Sequence, residues 1–313
     1  MDLSIVVPLL NEAESLPELK EWIDRSLEGF TYEIIFVDDG STDGSWEVIK
    51  GLSRSGNVRA IRFRRNYGKS AALYEGFAAA GGDIVVTMDA DLQDSPEEIP
   101  EMVRMIREDG YDLVSGWKFR RKDNTFTKNI PSKLYNWTAR KVTGIKLHDM
   151  NCGIKAYRAD VVKNIEVYGE MHRYIPYLAQ NAGFTKIGEK KVRHQKRKYG
   201  TTKFGLNRFV HGMLDLMSLW FLQRFGGSPM HFFGASGILM FLVGFVMTVW
   251  IIAAKLIHQA GGTRFRAVTD QPLFYLALVA IILGVMFFLA GFIGEMISRA
   301  RTDRNNYQIR EQL

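Results

Sequence analysis

A chain of 313 residues has room for one large domain or two modest ones, and a hydrophobic content of 47% is ordinary for a globular protein. The net charge of +7 suits anionic partners, while the single cysteine, Cys152, excludes an internal disulfide and no Cys/His metal spacing is present. The apolar residues are unevenly placed: residues 232–254 and 272–294 are each 23 residues without a formal charge, against the roughly 20 helical residues that cross a bilayer core.

In chain order, Asp2, Asn11, Glu12 and Glu14 surround a short apolar run, which fits neither a signal nor a transit peptide, so the chain is expected to begin as a soluble domain. Strand-like runs at residues 4–7, 33–37, 58–63, 84–88 and 112–115 alternate with helices expected to start near Ser15, Gly44, Lys69 and Pro96. Ser15 with Glu18 has capping-box spacing, and Asp43 stands as an N-cap. Repeated βαβ units imply an α/β fold with a mostly parallel sheet covered by helices, where ligands bind beyond the carboxyl ends of the strands.

The polar clusters fall at those ends. Strand one ends in PLLNE around Pro8, Asn11 and Glu12, strand two in DDGSTD from Asp38, strand three in RRNYGK up to Lys69, and strand four in DAD at Asp89 and Asp91. The run Gly68-Lys69-Ser70 mimics the tail of a P-loop, but Phe63 stands where that motif needs its first glycine, and no GxGxxG is present.

Carboxylates crowded at a strand end repel one another and lose solvation unless a cation compensates. Magnesium takes one or two carboxylates together with substrate phosphates, which suits a D-x-D pair. Asp91 is the first candidate ligand; Asp89 would reach a sugar or ribose, Asp91 and Gln93 would face the metal, and Asp94 or Ser95 would cap the next helix. Asp39, beside Asp38, is expected to contact a nucleotide, and Lys69 joins the residues expected around a nucleotide sugar.

Beyond residue 115 two basic blocks follow. Residues 118–146 hold nine Lys/Arg against the lone acid Asp123, and residues 186–208 hold nine against Glu189. Next to membrane spans, lipid and phosphate ligands outrank nucleic acid as partners. Residues 206–225 place Phe209, Met213, Leu216 and Trp220 on one helical face, an interfacial helix leading into the first span.

VVPLLNEAESL, FVDDGSTDGS, RNYGKSAALYEGF and MDADLQDSPEEI together resemble the successive motifs of family-2 glycosyltransferases with the Rossmann-like GT-A fold. The two spans narrow the resemblance to the polyprenyl-phosphate glycosyltransferases, a group including bactoprenol glucosyltransferases and dolichol-phosphate mannose synthases. The resemblance implies that Pro8, Asn11, Glu12 and Asp39 lie around the nucleoside, that Asp89 touches ribose or sugar, and that Asp91 with Gln93 holds Mg²⁺ or Mn²⁺. It places Asp149 of HDMNCGIKAYR near the acceptor as a candidate base, and His194, Arg197, Thr202 and Lys203 on diphosphate or acceptor phosphate. Where relatives commonly read Gly-Ser-Arg, this chain has Gly116-Trp117-Lys118, a departure that bears on the acceptor-phosphate role of Lys118 or Arg120.

The expected organisation is a cytoplasmic GT-A domain over residues 1–205, a juxtamembrane segment over 206–230, two transmembrane helices over 231–295 and a cytoplasmic tail over 296–313. Arg224, Arg299, Arg301, Arg304 and Arg310 on one side of the spans outweigh Lys255, Arg264 and Arg266 in the loop between them. Ala280 and Gly284 have the spacing that packs helices within a subunit or in a homo-oligomer. The expected reaction is inverting transfer of a hexose, from UDP-glucose or another UDP-hexose, to polyprenyl phosphate. A GDP-mannose enzyme and a catalytically silent membrane scaffold are the alternatives; a processive synthase is disfavoured because no QxxRW motif is present.

Overall fold

In the sequence LSIVVPL every side chain of Leu3–Leu9 (β1) is buried, as a strand covered on both faces requires. Leu3, Ile5 and Val7 face one layer, built on Leu16–Ser26 (α1), Ser45–Leu52 (α2) and Ile99–Arg107 (α4). Val6 faces the other, where Lys69–Ala79 (α3), Ala159–Lys163 (α5) and Ile175–Asn181 (α6) pack. This alternation follows from the two-residue period of a strand. The computed structural model describes residues 1–119, 144–195, 197–199, 221, 225, 229–262, 266–300 and 309–312.

The other strands are Tyr32–Asp38 (β2), Val58–Phe63 (β3), Ile84–Thr87 (β4), Leu113–Lys118 (β5), Lys155–Arg158 (β6), Ile187–Val192 (β7) and Ile309–Gln312 (β8). Their order across the sheet is β7-β5-β6-β4-β1-β2-β3-β8. β1 pairs in parallel with both β2 and β4, so the chain reverses its direction of travel across the sheet beside β1. β6 enters antiparallel between β4 and β5 and brings the segment before it over the end of β4.

The strands and helices follow the sequence pattern with two local corrections. Ser15 precedes α1 with φ −86° and ψ −26°, outside the extended region an N-cap needs, and its hydroxyl donates to Glu12 O at 2.9 Å, so the capping box with Glu18 does not form. Before α4 a 3₁₀ turn, Pro96–Glu98, takes up the first residues expected to be helical.

The chain divides into two compact units, one of Met1–Leu216 with Arg304–Leu313, the other of Met217–Asp303. In the second, Pro229–Ala260 (α7) and Pro272–Ala300 (α8) are both long and apolar enough to span a membrane. They form an antiparallel pair in which a Cβ on Gly237 would lie 2.6 Å from Gly284 O and one on Gly244 would lie 2.6 Å from Ala277 O. Only hydrogen at these positions permits backbones to approach so closely. Leu239, Trp250 and Met286 point outward and exposed, the apolar surface that a bilayer would cover. Lys255 lies inside α7 and not in the connecting loop, because the helix continues past the charge-free stretch to Ala260. The interfacial helix expected over residues 206–225 lies outside the described residues except for Phe221 and Phe225.

β8 pairs antiparallel with β3, Arg62 facing Glu311, and closes that edge of the sheet. The chain thus enters the two-helix unit from the first unit and returns to it.

Candidate active site

The ends of β1 and β2 are fastened to each other by the polar residues that mark them in the sequence. Asn11, in the left-handed region at φ 59°, accepts from Thr42 N at 2.8 Å through Oδ1, and its own N–H donates to Ser41 Oγ at 2.9 Å. Glu12 N donates to Ser45 Oγ at 3.0 Å and Ala13 N to Asp43 Oδ2 at 3.1 Å. Asp43 also accepts from Ser45 N at 3.0 Å, so it caps the first turn of α2 although Gly44 is the residue before the helix. Pro8 is buried within β1.

Asp39 is 5% exposed and holds the loop after β3: its two oxygens accept from Tyr67 N at 2.7 Å and Gly68 N at 2.9 Å. Burial pushes its carboxyl up, against the pull of those two amides. Asp38 turns inward instead, accepting from Ser41 N at 2.8 Å with Arg62 Nε 3.4 Å away.

At the end of β4 the acids meet different partners. Asp89 is ion-paired with Lys69, at the start of α3; burial alone would raise Asp89, and Lys69 brings it below the usual carboxylate range. Asp94 is fully buried against Lys118 Nζ at 2.8 Å, with His194 Nδ1 3.7 Å away. Lys118 overrides the effect of burial and holds Asp94 far below its ordinary value. Asp94 thus caps no helix. The expected phosphate contacts Lys118 and His194 both lie against it.

Asp91 is the exception. Burial first, then the charges of Asp89 and Asp94, push its carboxyl from 3.8 up to about 6. With its NH₂ towards Asp91, the Gln93 amide donates to Oδ2 at 2.9 Å and accepts from Arg197 N at 3.3 Å. The Arg197 guanidinium is paired with Glu12 and lies 3.7 Å from Asp91 Oδ2. Burial raises Glu12, and Arg197 opposes it. The segment carrying His194 and Arg197 therefore crosses from the end of β4 to the end of β1, and Gln195 N donates to Gln93 O at 2.9 Å along the way. Arg120, Thr202 and Lys203 lie outside the described residues.

Above this group runs the segment before β6. A Cβ on Gly153 would lie 2.5 Å from Asp89 Oδ2 and 2.9 Å from Asp94 Oδ2, so only glycine lets the segment sit there. Asp149 is 2% exposed, and its Oδ1 accepts from Asn151 N at 3.1 Å. Lys155, at the head of β6, is buried and donates to Cys152 O. Burial lowers its ammonium, and the charges of Asp149 and Asp89 both act on it in the opposite direction. The D-x-D acids, Lys69, Glu12, Arg197 and Asp149 thus belong to one region at the carboxyl edge of the sheet.

Among the described residues no group of three or more His, Cys, Asp or Glu side chains forms a metal cage. Magnesium and manganese need less from protein when phosphates complete the shell, and Asp91, destabilised by two neighbouring acids, is a group such a cation would relieve. The donor set fits a divalent ion shared with a diphosphate.

Sequence reasoning missed four participants: Glu189, which receives the backbone of Asp149; Lys155; Gly153; and the Asp94–Lys118 pair. Gly153 left a local trace as the small residue in NCGIK, and Glu189 one as the lone acid of its basic block.

Comparison with known proteins identifies the family. Residues 4–166 match the model of "Glycosyl transferase family 2". The chain is 36% identical to the dodecaprenyl-phosphate galacturonate synthase of Rhizobium johnstonii, over 99% of this chain and 93% of that protein. It is 35% identical to an undecaprenyl-phosphate 4-deoxy-4-formamido-L-arabinose transferase of Yersinia pestis, over 96% of this chain and 89% of that one. The glucosyl-3-phosphoglycerate synthase of Mycobacterium tuberculosis, solved with Mn²⁺, UDP-glucose and glycerol 3-phosphate, shares the fold with a TM-score of 0.54 at 21% identity, over 72% of this chain and 80% of that one. From its matched domain, its near full-length relatives and its sheet, the chain belongs to glycosyl transferase family 2 and carries the GT-A fold.

Proposed function

We propose that this chain transfers a sugar from a UDP-sugar, a hexose or hexuronic acid, to polyprenyl phosphate at the cytoplasmic face of a membrane, with inversion and with a divalent cation. The observation that carries this reading is the near full-length similarity to a dodecaprenyl-phosphate galacturonate synthase, joined to the strand-end acid group and two candidate spans. Nucleotide sugars are cytosolic, and both ends of the two-helix unit return to the soluble unit, which supports a cytoplasmic site.

The second pKa of a phosphate monoester is about 6, so a lipid phosphate is mostly dianionic at neutral pH and is already a nucleophile. One of its oxygens forms the new bond to the anomeric carbon while the bond from that carbon to the nucleoside diphosphate breaks. Asp91, supported by Gln93, would hold the cation with the donor phosphates. When bound, that cation supplies charge neutralisation to the departing diphosphate. Arg197 offers a planar guanidinium to the same anion, and Lys69 keeps Asp89 ionised and oriented toward the sugar. Asp149 orients the acceptor or stabilises the positive charge that develops at the anomeric centre.

Purified protein in detergent is incubated with undecaprenyl phosphate, Mg²⁺ or Mn²⁺ and a panel of UDP-glucose, UDP-galacturonate and GDP-mannose, and labelled glycolipid is measured. Product from a UDP-sugar that disappears with EDTA and with Asp91→Ala is expected. Product from GDP-mannose alone would transfer the assignment to the mannose-synthase type, and no product from any donor would favour a silent scaffold.

A further inference from the structure

Glu189 is the only acid among the nine basic residues of 186–208, and its carboxylate bonds to a different segment, at His148 and Asp149. On β7, with a side chain 12% exposed, it accepts from the backbone N–H of His148 at 2.8 Å and of Asp149 at 3.1 Å on Oε1. Its other oxygen accepts from His148 Nδ1 at 2.7 Å, and the His148 ring stacks on Trp117 with centroids 4.1 Å apart and planes 13° apart. One carboxylate therefore grips two consecutive amides and an imidazole that is itself clamped by an aromatic face.

The segment gripped in this way has no regular element between Gly144 and β6, so no sheet or helix ladder fixes its backbone. It carries Asp149, whose own carboxylate is turned by the amide of Asn151. Two fastenings flank Asp149 over the strand ends, Gly153 lying flat on Asp89 and Asp94 at one end and Glu189 at the other. Charge-assisted bonds from an ionised carboxylate are about twice as strong as neutral ones, which explains an acid at this position in a basic stretch.

We infer that Glu189 is the positioning residue for Asp149, setting the place of that carboxylate against the reacting sugar and lipid phosphate. The inference rests on the role given to Asp149 in the proposed function. Glutamine at 189 keeps an oxygen for the two amides and loses only the acceptor for His148, whereas alanine loses all three contacts.

The test measures hydrogen exchange across residues 144–154 together with kcat and KM, using undecaprenyl phosphate and the sugar donor identified by the panel above. Glu189→Ala is expected to speed exchange in that segment without altering exchange in β1 or β4. It should lower kcat about a hundredfold, the scale of an ångström misplacement, while donor KM stays within about twofold. Glu189→Gln should recover most of that loss. In an Asp149→Asn background Glu189→Ala should cost nothing further. An additive loss in the double variant, a change confined to donor KM, or unchanged exchange in Glu189→Gln and Glu189→Ala alike would overturn the inference while leaving the role of Asp149 standing. Full activity in Asp149→Asn alone would remove that role, and the inference with it.

Discussion

Asp91 makes the candidate site unstable in a way that a melting experiment can read. Moving a carboxyl from 3.8 to about 6 disfavours its ionised form in the folded chain by about 3 kcal/mol at pH 7.5. Below pH 3.8 the group is protonated whether the chain is folded or not, and nothing is lost. Between 3.8 and 6 the folded chain binds more protons than the unfolded one, so this contribution to stability falls as pH rises. Near pH 5 the loss is about half its final value, and above 6 it is complete. For a unit of this size 1 kcal/mol is worth roughly 2–4 °C in Tm. With EDTA at pH 7.5, Asp91→Asn should therefore melt several degrees above the parent chain, offset slightly by the lost neighbour of Arg197, and the gain should shrink to about half at pH 5. Mn²⁺ with UDP should raise the Tm of the parent chain and leave Asp91→Asn almost unmoved. A variant that melts lower than its parent in EDTA, or that responds to Mn²⁺ as the parent does, would refute the claim that Asp91 is held ionised for a cation.

Gly153→Ala places a methyl 2.5 Å from Asp89 Oδ2, so the segment before β6 must lift; activity should fall by at least tenfold, with Tm lowered by only a few degrees because the strands beneath are untouched. Leucine at Gly284 would collide with Gly237 O and Phe241 N, so Gly284→Leu should separate the two spans and reduce detergent-stable protein, whereas Leu239→Ala on the outward face should not. Removing residues 309–313 uncovers the β3 edge and should increase aggregation on heating while leaving the initial rate intact; a loss of rate before aggregation would show that the strand does more than close the sheet. Protease applied from outside intact cells or spheroplasts should cut between residues 260 and 270, and cutting there only from the cytoplasmic side would reverse the topology.

The sheet was legible because its information is local: runs such as Ile84–Thr87 are apolar and end in Gly, Asp and Asn, and a strand end in an α/β fold is a site by topology alone. The D-x-D motif was legible for the same reason. What local pattern could not supply is the division of labour among the acids, because each partner arrives from elsewhere. Lys118 reaches Asp94 from β5 although β6 stands between β5 and β4, and Glu189 meets Asp149 across 40 residues of chain. The antiparallel entry of β6 causes both meetings, and nothing in KAYR announces it. β8 was missed for a related reason, since a four-residue strand without strong alternation forms only where an open edge awaits it.

Once those partners are in place the acids cease to be equivalent. Asp89 has Lys69, Asp94 has Lys118, Glu12 has Arg197 and Asp39 has two backbone amides. Asp91 has Gln93 and the far side of a guanidinium that Glu12 already holds, and it alone among the four aspartates 39, 89, 91 and 94 is pushed up to about 6 with no cation of the described residues in ion-pair contact below 3.7 Å. A fold that neutralises its neighbours and leaves one carboxylate short of positive charge has kept that shortage at the point where a diphosphate would enter. The deficit is therefore an argument about ligand order: the cation and the donor's phosphates supply each other's missing charge, so metal alone should bind weakly and metal with nucleoside diphosphate tightly. Calorimetry would decide it. Mn²⁺ binding of equal strength with and without UDP would place the compensating charge within the protein and contradict the sharing of the ion.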